Sequence, residues 1–98
     1  MKIRIQNIKE NPASLLRRVG YIFQRNEGSE MSFVRSLARA GYPRFHIYTH
    51  LEDLDMVVSI HLDQKRETYG ESTRHHGEYA DEGALKEEAE RIKSIFSN

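Results

Sequence analysis

The chain has 98 residues, the size of one domain, and its 15 basic and 15 acidic side chains cancel. A neutral balance argues against nucleic-acid binding driven by net charge. The absence of cysteine excludes disulfides and thiolate metal sites. No apolar run approaches the roughly 18 residues that a membrane span needs. We therefore expect a cytoplasmic protein with no membrane contact.

Two elements are predicted at the start of the chain. The range Lys2–Asn7 alternates apolar and polar side chains and predicts a short strand. Asn11 followed by Pro12 predicts a helix start, because Asn caps free amides and Pro lacks the N–H that would be left unpaired. Apolar residues at helical spacing continue this helix to Gly20. Gly20 either lies inside the helix or ends it and leaves the next four residues extended.

A second helix is predicted to begin at Ser29, a good N-terminal cap. Gly41 followed by Pro43 predicts its end, because glycine adopts the left-handed conformation and proline cannot continue a helix. The predicted buried stripe of this helix consists of Phe33, Val34, Leu37 and Ala38.

The stretch 44–65 predicts a β-hairpin. Two alternating apolar sets, Phe45 to Leu51 and Met56 to Leu62, flank an acidic turn of four residues at 52–55. A slip of one residue would turn every apolar side chain to the wrong face, so the pattern itself specifies the register. On the opposite face, this register pairs Arg44 with Asp63, His46 with His61, Tyr48 with Ser59 and His50 with Val57.

The range 66–80 contains the His75–His76 doublet and no aliphatic run. It predicts a long polar loop that is either functional or mobile. A final helix is predicted after a cap at Asp81, and its apolar stripe consists of Leu85, Ala89, Ile92 and Phe96.

The predicted order of elements is β-α-α-β-β-α in a single domain of residues 1–98. This order predicts an α+β fold: a two-layer sandwich with a three-stranded, mainly antiparallel sheet and all helices on one face. The other face is predicted to stay open and polar.

Function is expected on this open face. A half-covered sheet is a natural docking surface, so we favour a protein-interaction module that binds a protein partner or a second copy of the chain. Aromatic and imidazole rings among cationic side chains also suit the binding of single-stranded RNA. The neutral net charge of the chain and the lack of an RNP-like sequence argue against RNA. The predicted partner face consists of Arg4, Arg44, His46, Tyr48, His50, His61 and Lys65.

Histidine chemistry is the alternative. Imidazole and carboxylate groups bind zinc, so a metal site or a metal-dependent hydrolase would use the histidines together with Asp63. The spacing of these residues matches no metal motif. Paired histidines would also serve as acid and base on a phosphate, but the His-x-Thr/Ser pattern of two-histidine phosphoesterases is absent. We expect no enzyme activity and no cofactor, with zinc as the alternative. The candidate metal ligands are His46, His61, Asp63, His75 and His76.

Four segments resemble a family of short bacterial proteins of unknown function with the same order of elements. The segments are YPRFHIY (42–48), HLDQK (61–65), HGEY (76–79) and EEAERIK (87–93). The resemblance covers most of the chain from Ser32 onward. It implies a bacterial cytoplasmic protein and brings no activity, cofactor or partner.

Overall fold

The computed structural model describes residues 1–64 and 82–96, which form a five-stranded antiparallel sheet and two helices. The strands lie in the order β1-β5-β4-β3-β2 across the sheet. The elements are β1 Lys2–Ile5, α1 Pro12–Arg18, β2 Ile22–Glu27, β3 Glu30–Ser36, β4 Arg44–Glu52, β5 Asp55–Asp63 and α2 Glu82–Phe96. The α+β class agrees with the prediction. The three-stranded sheet and the order β-α-α-β-β-α are wrong, and the predicted loop at 66–80 lies outside the described residues.

The predicted second helix is in fact a strand. A two-residue turn at Gly28–Ser29 joins β2 to β3, and Gly28 adopts a φ of 63°, which glycine tolerates without steric cost. Along β3, Phe33 lies in the core, whereas Val34 lies on the opposite face beside His46. Because β3 pairs with β4 from Met31 to Ser36, long-range hydrogen bonds override the helical spacing of its apolar residues.

Helix α1 has the predicted start and the shorter of its two predicted ends. The Asn11 side chain accepts a hydrogen bond from the Ser14 amide at 2.9 Å, and Pro12 is the first helical residue. Gly20, with a φ of 103°, follows the helix end. The extended alternative for the residues after Gly20 is therefore correct, and they lead into β2.

Strands β4 and β5 pair in the register expected from their alternation. The pairs run from Arg44 opposite Asp63 at one end to Glu52 opposite Asp55 at the other. Because Glu52 and Asp55 are themselves paired, the turn between the strands has two residues and not the predicted four. Asp53 in this turn adopts a φ of 57°.

Both helices pack on one face of the sheet, which we call the core face. Thr49 is fully buried there, and its hydroxyl donates to the Val57 carbonyl at 2.8 Å, so the buried polar atom is satisfied. The apolar core consists of Ile3, Ile5, Leu15, Leu16, Val19, Tyr21, Phe33, Phe45, Ile47, Met56, Val58, Ile60, Ala89 and Ile92.

A buried ionic cluster holds α2 against the rest of the fold. The Tyr21 hydroxyl donates to Glu88 at 2.6 Å, and Arg91 donates to both Glu88 oxygens at 2.9 Å. Arg91 also reaches the Val19 carbonyl at 2.7 Å, and Arg35 of β3 lies 3.5 Å from Glu88. Burial alone would raise the pKa of Glu88, but the hydrogen bonds from Arg91 and Tyr21 outweigh burial and hold this pKa below its usual value.

Tyr21→Phe removes one hydrogen bond to the buried Glu88 carboxylate and keeps the ring. We expect the free energy of unfolding, measured by urea denaturation, to fall by about 1.5–3 kcal/mol, as for other hydrogen bonds to charged groups. Tyr42→Phe is the control, because the Tyr42 hydroxyl makes no hydrogen bond in the described part of the chain. Equal unfolding midpoints for the two variants would contradict the role of Tyr21.

Candidate functional site

The surface opposite the helices carries those predicted functional residues that the structure describes. The even-numbered residues of β4 share this surface with the odd-numbered residues of β5, and Arg4 joins them from β1. We call this surface the polar face; it includes Arg4, Arg44, His46, Tyr48, His50, Ser59, His61 and Asp63. Of the predicted partner-face residues, Lys65 alone lies outside the described residues.

A buried hydrogen-bond network crosses the polar face. The Ser32 hydroxyl donates to the Gln24 side chain at 2.8 Å and lies 2.7 Å from Nε2 of His46. Nδ1 of His46 lies 3.3 Å from Asp63, which Arg44 contacts at 3.1 Å. Because Ser32 gives its proton to Gln24, its oxygen accepts the hydrogen bond from Nε2 of His46. The network links the four adjacent strands from β2 to β5.

The buried position of this network determines its role. The order Ser32, His46, Asp63 matches the relay of serine hydrolases. However, Ser32 is 0% exposed and directs its proton to Gln24, whereas a nucleophile has to reach a substrate. The hydrogen bond from His46, followed by that from Arg44, holds the pKa of Asp63 below its usual value despite burial. The network is therefore a cross-link between strands.

The predicted metal ligands do not form a metal site in the described residues. His46 is 8% exposed and uses both ring nitrogens in the network. His61 lies opposite His46, and its ring meets that of Tyr48 edge-on. In residues 1–64 and 82–96, no group of three His, Cys, Asp or Glu side chains is arranged to bind a metal ion. His75 and His76 lie outside these ranges, so zinc binding stays a prediction.

Rings form the accessible centre of the polar face. The ring centroid of Tyr48 lies 4.6 Å from that of His46 and 5.9 Å from that of His61. Tyr48 is half-buried and His61 is exposed. Ile22 lies on the same face beyond Val34 and is 69% exposed. The edge strand β2 therefore adds a large exposed apolar side chain to the same face as the rings.

Ion pairs occupy the end of the polar face near the β4–β5 turn. The ring nitrogens of His50 lie 3.2 Å from Glu30 and 3.0 Å from Glu52. Arg4 contacts Glu52 at 2.6 Å and Asp55 at 2.9 Å. Hydrogen bonds to Glu52 and Glu30 raise the pKa of His50, and the same contact with His50, followed by that with Arg4, lowers the pKa of Glu52. Carboxylates therefore neutralise the cations at this end.

From the sequence alone, three residues of these networks are assigned to the wrong element or to none. Ser32 and Glu30 fell in the predicted second helix, and Gln24 fell in a segment with no firm assignment. The signal that would have placed them is the Gly28–Ser29 pair, because two turn-forming residues between alternating segments indicate a hairpin.

Comparisons of the chain with protein-family models, curated proteins and solved structures find no match. In the described part of the chain, no helix has the length and apolar character needed to cross a membrane. The bacterial origin and the cytoplasmic location stay predictions.

Ser32→Ala removes the central hydroxyl of the buried network. The buried ring of His46 and the half-buried side chain of Gln24 then lose a partner, so we expect the free energy of unfolding to fall by about 1–3 kcal/mol. Ser59→Ala is the matched control, because Ser59 is a half-buried serine of the polar face whose side chain makes no hydrogen bond in the described part of the chain. Urea denaturation measures both; a Ser32 variant as stable as the control would contradict the network.

His50 provides a test of the ion pairs. We expect its pKa, measured by NMR titration, to lie above the ordinary value of 6.5 and to fall in Glu52→Gln. Because folding raises this pKa, the stabilisation is fully present below the pKa of the unfolded chain and is lost as the pH rises through the pKa of the folded chain. Glu10→Gln, which removes the ion-pair partner of Arg18 on the helix side of the sheet, should leave the titration of His50 unchanged. An identical His50 titration in the Glu52 variant would contradict the pairing.

Proposed function

We propose that the protein is a protein-interaction module that docks a folded protein partner through the polar face. The observation that supports this function is the pairing of charges: Arg4, Arg44 and His50 each contact a carboxylate. Nucleic-acid binding needs cations that neutralise phosphates, and these three cations already have acidic partners. Charges in balanced pairs around a ring-lined centre suit the rim and core of a protein interface.

The expected anchors are Tyr48 and His61 at the centre of the polar face and the exposed Ile22 on its edge strand. Tyrosine is enriched among the residues that dominate binding energy. The buried network below keeps His46 in place, so this centre is rigid before binding. We expect a partner that presents an apolar centre and a rim with both signs of charge.

Single-stranded RNA is the second candidate, and one observation favours it. The rings of Tyr48 and His61 lie close together on the sheet, where bases would stack. The main obstacle is Arg44, the cation beside these rings, because Asp63 holds it at 3.1 Å.

The proposed function is tested by finding the partner and then measuring its affinity. A photoreactive residue in place of Ile22 marks the partner in cells, and the purified partner is titrated against variants. We expect Tyr48→Ala and His61→Ala to weaken binding by about tenfold or more, as truncations at an interface centre do. Leu54→Ala, an exposed apolar residue in the β4–β5 turn, should bind as the unchanged protein does.

Two results would contradict docking through the polar face. The first is an affinity that Tyr48→Ala and His61→Ala leave unchanged. The second is a short single-stranded RNA that binds and shifts the resonances of both rings while no protein partner competes with it. That outcome would favour the second candidate.

A further inference from the structure

We infer that the outer edge of β2 is a self-association site at which two copies of the chain pair antiparallel. Strand β2 is the last in the sheet order, and in the described residues no backbone group pairs with its outer side. Open N–H and C=O groups along an edge are a template for another strand. This inference does not depend on the proposed function.

Exposed apolar side chains support an occupant at this edge. Ile22 is 69% exposed on the polar face, and Phe23 is 45% exposed on the core face, where its ring meets Phe33 edge-on at 5.6 Å. Proteins commonly protect an open edge with lysine or proline, and β2 contains neither. The charges it carries, on Arg25 and Glu27, pair with each other at 2.5 Å.

The bulge in β2 indicates which register a second copy adopts. Phe23 pairs with Phe33 and Arg25 pairs with Ser32, so Gln24 is the extra residue. Its side chain contacts Ser32 on the polar face. Ile22, Gln24, Arg25 and Glu27 therefore lie on the polar face, whereas Phe23 and Asn26 lie on the core face.

A two-fold pairing needs opposed residues to share a face. One register meets this condition over all six residues of β2: Ile22 opposite Glu27 of the second copy, Phe23 opposite Asn26, and Gln24 opposite Arg25. Without the bulge, each of these pairs would join opposite faces. The strand is therefore self-complementary, and this property identifies a second copy as the occupant.

Charge also favours this register. It places no like charges opposite each other, whereas a shift by one residue would put Arg25 opposite Arg25 of the second copy, which is destabilising. The two sheets become continuous, with both polar faces on the same side. An edge contact of this size buries little surface, so we expect a weak dimer.

Cysteine cross-linking tests the pairing, because the chain has no cysteine of its own. In the double variant Ile22→Cys/Glu27→Cys, the two positions lie roughly 16 Å apart along one strand, beyond the reach of a disulfide, which needs Cα atoms within about 7 Å. In the dimer they lie opposite each other. We expect mild oxidation to give a covalent dimer for the double variant and much less for Ile22→Cys or Glu27→Cys alone.

Sedimentation from micromolar to near-millimolar concentration gives the second measurement. We expect concentration-dependent dimerisation of the unchanged protein and its loss in Phe23→Lys, with circular dichroism to check that this variant folds. Leu54→Lys changes another exposed apolar residue and should still dimerise. A persistent monomer, a Phe23→Lys variant that still dimerises, or a double cysteine variant that cross-links no faster than the single ones would overturn the inference.

Discussion

The pairing of β4 with β5 is the constraint on which the rest of the structure depends. These strands lie at the centre of the sheet, and their register decides which side chains enter the core. A slip of one residue would move the fully buried Ile47 and Ile60 to the polar face and His46 to the core. Each such aliphatic side chain contributes roughly 1.5–3 kcal/mol by burial, a large part of a small domain's net stability. Strands β1 and β3 then continue the same two faces outward.

Two polar clusters, one on each face of the sheet, have the same arrangement of groups around a buried centre. An arginine holds a carboxylate, Arg91 on Glu88 and Arg44 on Asp63, and a third polar group completes each cluster. Buried charges are costly unless every partner is present. Each cluster therefore penalises packings in which one element is displaced. Apolar contacts alone tolerate such displacements more easily, because hydrophobic burial has no direction.

The alternation of β1, β4 and β5 was informative because each strand has one apolar side in the core. Strand β3 could not be recognised from the sequence, because only some of its core-facing side chains are apolar. Phe33 fits the core, but Arg35 also lies on that side, where it pairs with Glu88. Strand β2 was not recognised because both of its faces are partly exposed and the bulge at Gln24 interrupts its alternation. The contact of Ser32 with His46 was beyond prediction, since it exists only through the pairing of β3 with β4.

Gln24 couples the buried network to the outer edge of the sheet. Arg25 occupies the position opposite Ser32, yet the Gln24 side chain also reaches Ser32. A regular strand cannot direct two successive side chains to one face, and the bulge makes this arrangement possible. The bulge in turn sets which side chains of the outer half of β2 lie on each face. The bulge that lets Gln24 reach Ser32 therefore also sets which side chains the edge presents to the proposed second copy.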